Sequence, residues 1–338
     1  MTLPQTYAAA LLLTLLSMCC WGSWANTFKL AGKWRFELFY YDYSLGVLVA
    51  AVIYALTFGS LGSHGLPFAG DLAHAGLRQI FFGAAGGVVF NLANMLLVAA
   101  ISLAGLAVAF PVGIGLALVI GVIWNYTLKP QGNPALLFTG AAIVVGAIIV
   151  DALAYRALDA SRAAQTEKRV SGKGITLSLV SGLLMGSFFP LVEMGKSGPQ
   201  GLGPYAIGFI FAIAVFLSTF VFNLFFMKFP VEGPPAALSL YLTGSGRQHL
   251  LGVLGGLIWA SGTIANFVAA SAPESVQVGP AISYAIGQGA TMVSALWGLL
   301  VWKEFAGATS RVRMLVGLML ILFVTGLALV SIAPLYAR

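Results

Sequence analysis

Charge is scarce in this sequence. Of 338 residues, only 8 % are Asp, Glu, Lys or Arg, against about 25 % in an ordinary soluble domain. A chain so poor in charge cannot be surrounded mainly by water. Cysteine is nearly absent. Cys19 and Cys20 are adjacent in an apolar run, which excludes a disulfide framework, because bridged residues need separation and suitable geometry. They read as small buried hydrophobes. Histidine occurs three times, as His64, His74 and His249. All three read as loop residues, and their spacing is not that of metal ligands. There is no Ser-His-acid order and no phosphate loop, and Gly83-x-x-Gly86 and Gly113-x-Gly115 suit helix packing better. The expectation is a protein that is not an enzyme and carries neither metal nor cofactor. Nor does the net charge of +7 point to nucleic acid, because the basic residues are not clustered with aromatics on one face. No Lys or Arg precedes the first apolar run, so that run reads as a retained helix rather than a signal peptide.

What is present is apolar. Such residues make up 59 % of the chain, and mean hydropathy is +0.96. The 41 glycines suit close approach of helices within a bilayer. A helix needs about 20 apolar residues to cross, and ten such runs can be marked. They are Tyr7–Phe28, Tyr41–Gly59, Ile80–Leu103, Leu106–Leu128, Ala135–Tyr155, Ile175–Met194, Pro204–Met227, Leu250–Ala270, Val276–Trp302 and Val312–Ile332. The runs are continuous rather than alternating, which argues against strands. A tight turn at Ser102–Gly105 separates the third and fourth. The expected fold is an all-α integral membrane protein with ten transmembrane helices.

The chain also echoes itself. Trp21-Gly-Ser-Trp24 at the end of the first run returns as Met185-Gly-Ser-Phe188 in the sixth, with Lys29 falling on Glu193. Gly86-Gly87 returns as Gly255-Gly256, and Pro111 as Pro280. The order is the same in both halves, and five helices per half is an odd number. The second half must therefore enter the membrane upside down, giving two inverted five-helix repeats around a central cavity. The expected division is residues 1–155, a cytoplasmic linker 156–173, and 174–338. Thirteen of the seventeen Lys and Arg residues fall in odd-numbered gaps between runs, and four in even gaps or termini. The positive-inside bias then puts both termini outside, with the central gap cytoplasmic, in an inner or plasma membrane.

Polar side chains inside a membrane helix are costly unless partnered or wet, so their placement guides function. Trp259, Thr263 and Asn266 share one face of the eighth run, and Tyr284, Gln288 and Thr291 one face of the ninth. Asn91 and Asn94 lie a turn apart in the third. Trp21 and Trp24 do so in the first, with Asn26 close by. One reading is a cavity whose amides and hydroxyls bond a polar solute while its indoles stack on it; the other is adhesion between helices. Glu193 is the candidate for proton coupling, and its alternatives are an interfacial charge or the partner of a nearby Lys. Asp42 and Asp151, at the ends of runs, are expected to be solvated. Lys303-Glu304 is expected to anchor the end of the ninth run at the interface.

The stretch Asp42-Tyr-Ser-Leu-Gly-Val-Leu-Val-Ala-Ala-Val-Ile-Tyr-Ala-Leu-Thr-Phe-Gly59 resembles the ureide permeases, as do Trp21-Gly-Ser-Trp24 and the Gly86–Asn94 region. More broadly, most of the chain resembles the drug/metabolite transporter superfamily, with its glucose/ribose and rhamnose porters. The resemblance implies ten helices in inverted halves, with the first, third, fourth, sixth, eighth and ninth lining a central site. Plant ureide permeases carry a long central cytosolic loop with a phosphate-loop-like motif; here Arg156–Lys173 is short and has none. The resulting expectation is a secondary transporter in a lipid bilayer. It imports a small neutral polar solute by alternating access, driven by protons. A monosaccharide stands slightly ahead of a ureide or nucleobase. Export of amino acids or drugs is the rival, and a scaffold without substrate is a second.

Overall fold

A computed structural model describes residues 1–104, 106–162, 172–231 and 233–336. The apolar runs become helices. In chain order these are α1 (Tyr7–Ser23), α2 (Ala25–Ala31), α3 (Phe36–Leu56), α4 (Phe58–Leu61), α5 (Phe68–His74), α6 (Leu77–Ala104), α7 (Leu106–Leu128), α8 (Pro134–Arg162), α9 (Gly172–Lys196), α10 (Pro204–Lys228), α11 (Gly246–Ala269), α12 (Pro280–Gly287), α13 (Ala290–Leu300) and α14 (Ser310–Ile332). Two short 3-10 helices, Leu238–Thr243 and Ala333–Tyr336, complete the set, and no strand occurs among the described residues.

Local chemistry sets the ends. Thr6 Oγ1 accepts the Ala9 N–H, and Thr309 Oγ1 accepts that of Val312. Ser245 and Gln248 form a reciprocal capping box at α11. Pro204 and Pro280 open their helices at a position where a missing N–H costs nothing. Gly32 and Gly279, at φ +75° and +86°, make the turns after α2 and before α12, a backbone region open to glycine at little cost.

Nine helical segments among the described residues are long and apolar enough to cross a membrane. The ninth expected run, Val276–Trp302, is a correction: it is not one helix. Gly287-Gln288-Gly289 interrupts it, and the chain closes 3-10-type turns there, Gly289 N to Ile286 O and Thr291 N to Gln288 O. Trp24 likewise divides α1 from α2. Cys19 is exposed and Cys20 half-buried, so neither is the core residue expected. His249 lies in the first turn of α11 and His74 ends α5, rather than both being in loops. Within the expected linker, α8 continues to Arg162 and α9 begins at Gly172. Lys168 and Arg169, like Gly105 and Arg338, lie outside the described residues.

The loops sort onto two faces. The Met1 ammonium donates to Gly62 O and His64 O, Gly76 N–H to Gln200 O, Asn133 N–H to Ala333 O, and Gln131 Nε2 to Gln277 Oε1. These bonds gather both ends of the chain and the loops after α4, α5, α7, α9 and α11 on one face. On the other, Arg35 donates to Pro234 O, Gln248 to Ala31 O, and Lys29 to Glu304. That second face is the basic one. The broken segment α12–α13 therefore carries the chain from the first face to the second.

Packing repeats itself across the two halves. α6 packs on α9 as α1 packs on α11; α7 on α9 as α1 on α12 and α13; α3 on α11 as α10 on α6. The echoed glycines sit at matching contacts, where a Cβ would collide. At Gly256 it would lie 2.0 Å from Tyr43 O of α3, and at Gly87 2.4 Å from Phe211 O of α10. At Gly22 it would lie 2.5 Å from Ala290 O of α13, and at Gly186 2.8 Å from Ala117 O of α7. Around the bundle, Leu12, Leu16, Val221, Leu224, Ile321 and Val324 point outward, an apolar girdle of the kind lipid covers.

Candidate functional site

The central cavity encloses about 380 Å³. It lies between α1, α2, α6, α7, α9, α11 and α13, with Phe36 of α3 at its edge. Its wall is aromatic: Trp21, Trp24, Phe28, Phe36, Phe90, Phe110, Phe188 and Trp259. Several of these rings are nearly parallel. Trp259 lies 4.2 Å from Phe90 at 23° between planes and 6.3 Å from Trp21 at 16°. Such a row offers a flat face on which a planar solute can stack.

Only a few polar groups reach this wall. Asn94 Nδ2 donates to Tyr40 Oη at 3.0 Å, which leaves its Oδ1 free. Gln288, Thr291 and Ser294 also line the cavity, the last two shared with a small side recess. Together with the Trp24 and Trp259 indole N–H groups, their side-chain polar groups have no hydrogen-bond partner in the described residues. These groups offer both donors and acceptors in an otherwise apolar space.

Six of the residues singled out in sequence come together here: Trp21, Trp24, Asn94, Trp259, Gln288 and Thr291. The other five are not on the cavity wall, and their hydrogen bonds show why. Asn91 Nδ2 bonds Val215 O, Ser218 Oγ and Thr219 Oγ1 of α10. Asn266 bonds Ser17 of α1 and Ser283 of α12. Thr263 Oγ1 accepts the Trp21 indole N–H at 3.0 Å. Tyr284 Oη donates to Met185 O at 3.1 Å. Asn26 Oδ1 accepts the Trp302 indole N–H at 2.6 Å. Each joins one helix to another, or a helix to a loop. Sequence reasoning passed over Phe90, Phe188 and Ser294. The Trp24–Phe188 echo held the signal for Phe188, and the single turn from Phe90 to Asn94 held that for Phe90.

The cavity is closed on the face that carries Met1. There Tyr284, Phe189, Phe267 and Asn266 are fully buried and form a polar-pinned aromatic layer. Toward the basic face, Phe36 and Val98 are shared with a second recess of about 350 Å³, which reaches Arg35, Glu37 and Ser102. Lys29 Nζ meets Glu304 Oε1 at 2.5 Å and lies 4.3 Å from the Trp302 ring, while Tyr155 Oη reaches Glu304 Oε2. Glu304 thus ties α2 to α8.

Glu193 stands apart from this cavity. It pairs with Lys196 at 2.6 Å, both side chains about 90 % buried, beside the opposite face's vestibule. Asp42 and Asp151 are corrections: burial, not solvation, describes both. Asp42 accepts from Tyr241 Oη at 2.5 Å and contacts His249 Nδ1 at 2.8 Å. Burial, and then that bond to Asp42, push the Tyr241 hydroxyl above its ordinary range, so it stays a donor.

The sequence profile of a family described as ureide permease matches residues 39–173 and 157–333. The chain belongs to the ureide permease family. It is thus a multi-pass membrane protein of a transporter family, not an enzyme. It is 26 % identical to ureide permease 2 of Arabidopsis thaliana over 392 residues, covering 95 % of each chain. With a probable ureide permease A3 of Vigna unguiculata, identity is 23 %, covering 80 % of this chain and 88 % of the relative. A solved crystal structure, described only as that of a protein, superposes with a TM-score of 0.63 at 18 % identity over 95 % of this chain and 96 % of that one.

Proposed function

We propose that this ureide permease family member is a secondary carrier. It moves a ureide, or a similar small, planar, neutral heterocycle dense in N–H and C=O groups, by alternating access. One observation carries the choice of solute: the near-parallel row Trp21–Trp259–Phe90 beside unpartnered amide and hydroxyl groups. A flat ring satisfies both, stacking on the row while its edge bonds Asn94 and Gln288. A monosaccharide, favoured by residue types alone, would set many hydroxyls against an aromatic wall with few polar partners, so it takes second place. The Arabidopsis relatives, themselves named ureide permeases, support the same choice.

The architecture supports alternation. On this reading the chain makes ten crossings, in inverted halves 1–155 and 174–338 joined by 156–173. The exchanged helix pairs and matched glycine contacts are its support. The basic face is taken as cytoplasmic, with both termini outside, which makes this conformation open inward. Single cysteines at Ser245 and Ser63 in a chain freed of Cys19 and Cys20 test it. A membrane-impermeant maleimide applied to intact cells should label Ser63→Cys alone; the reverse pattern would invert the assignment.

For the solute, purified protein is screened by thermal shift against allantoin, uracil, glucose and lipophilic cations. A ligand at a hundred times its Kd stabilises the folded state by about 2.7 kcal/mol. Allantoin or uracil should raise Tm. A response to glucose alone, or to lipophilic cations alone, would reject the planar-heterocycle reading.

A further inference from the structure

Asp151 lies within the membrane-spanning part of α8 and is 7 % exposed. Its Oδ1 is fully buried without a hydrogen-bond partner. The carboxyl faces a side recess of about 50 Å³, walled by Phe110, Pro111, Tyr155, Thr291 and Ser294, with room and polar groups enough for water. Thr291 and Ser294 also line the central cavity, so the recess adjoins the solute site across the first turns of α13. That helix begins just after the break at Gln288-Gly289.

Among the described residues, the charged and titratable groups around it are few, and each is engaged or distant. On α7 the titratable residue is Tyr126, near the opposite end. α14 brings Arg311 and Arg313, both exposed in its first turns, and the closing 3-10 helix brings Tyr336, also exposed. Beyond α13, Lys303 precedes Glu304, which is bonded to Tyr155 and Lys29. On α8 itself, Arg156 is exposed. No ion pair to Asp151 forms among the described residues. An isolated carboxylate in a membrane is costly, and the cost is relieved when a proton, water or a cation reaches it.

We infer that Asp151, rather than Glu193, is the proton-binding site that couples solute movement to a proton gradient. Glu193 is already neutralised by Lys196 and is remote from the cavity. The step is a single protonation. When the cavity is open, hydronium relayed through water in the recess gives one proton to a carboxylate oxygen of Asp151: an O–H bond of the hydronium breaks, one forms on the carboxyl, and water is left behind. When α13 moves over the loaded site, the neutral side chain can be enclosed, and reopening to the other face returns the proton to water. The inference rests on the carrier reading above.

Reconstituted protein carrying labelled allantoin provides the test. The wild type should accumulate solute several-fold faster with an imposed pH gradient. Asp151→Asn should lose that response while still exchanging labelled for unlabelled allantoin. Asp151→Glu, which keeps the carboxyl, should regain it. A pH electrode adds a readout that needs no variant: allantoin added to unbuffered wild-type protein should shift the proton count. An Asn variant that still accumulates solute overturns the inference, as does a wild type that exchanges solute but ignores the gradient; in both cases the carrier reading survives. Accumulation by the wild type that follows sodium and is lost in Asp151→Asn would make this a sodium site instead and overturn it too. A wild type that neither binds nor exchanges any of the screened solutes overturns the carrier reading and this inference with it.

Discussion

Gln288 and Asn266 are both amides on consecutive transmembrane segments, and on the carrier reading proposed above they do different work. Gln288 is 8 % exposed and lines the cavity, with no side-chain partner in the described protein. Asn266 is fully buried and bonds Ser17 Oγ at 3.0 Å, Ser283 O at 3.2 Å and Ser283 Oγ at 2.5 Å. On that reading, truncating Gln288 to Ala removes a hydrogen bond made to solute. One neutral hydrogen bond contributes about 0.5–1.5 kcal/mol net, so Kd should rise roughly 2- to 13-fold while stability hardly changes. Truncating Asn266 removes bonds among three helices. Interhelical polar contacts in membrane proteins average about 0.6 kcal/mol each, so a loss of about 1–2 kcal/mol in stability is expected, with Kd little changed in the folded fraction. Thermal unfolding of both variants in detergent, with and without allantoin, separates the two effects. Equal destabilisation by both, with unchanged affinity in Gln288→Ala, would refute the division between solute-facing and helix-joining amides.

Two further outcomes follow from the packing and from buried charge. Gly256→Ala places a methyl 2.0 Å from Tyr43 O, a backbone atom that cannot turn aside, so it should cost about 1–3 kcal/mol; Gly87→Ala should cost a similar amount, whereas Gly317→Ala, with open space around it, should be neutral or stabilising by thermal shift. Asp71, in the short helix α5 outside the spans, has its carboxyl pushed above the ordinary value by burial, with the Gly203 N–H opposing. The folded state therefore keeps that proton to higher pH than the unfolded chain does. Its contribution is full below the unfolded value and falls as pH rises toward the folded one. Asp71→Asn should flatten the dependence of Tm on pH in that window and raise Tm at neutral pH. An unchanged slope would refute this assignment.

Much of the fold was legible because bilayer thickness acts on single helices. A run such as Leu106–Leu128 declares itself by length and apolarity alone, and the order of the Gly-Ser and Gly-Gly echoes sits in the chain for anyone to read. The break at Gln288 was not legible, since composition cannot say whether two flanking glycines interrupt a helix or merely thin it. The spacing of Trp259, Thr263 and Asn266 correctly marks one helix face. That face, however, runs from the cavity at Trp259 into the sealed layer at Asn266, and period alone carries no depth. Asp151 was misread for a related reason: its position near the end of an apolar run says nothing of the side helices that cover it.

Sequence by itself determined the solvent, the helical class and the duplicated pattern, because each depends on residues close together in the chain. Tertiary structure alone decided which amides are spent on neighbouring helices and which face the cavity. A hydrogen bond is satisfied by whichever group lies within about 3 Å, and that neighbour is supplied by helices far apart in sequence.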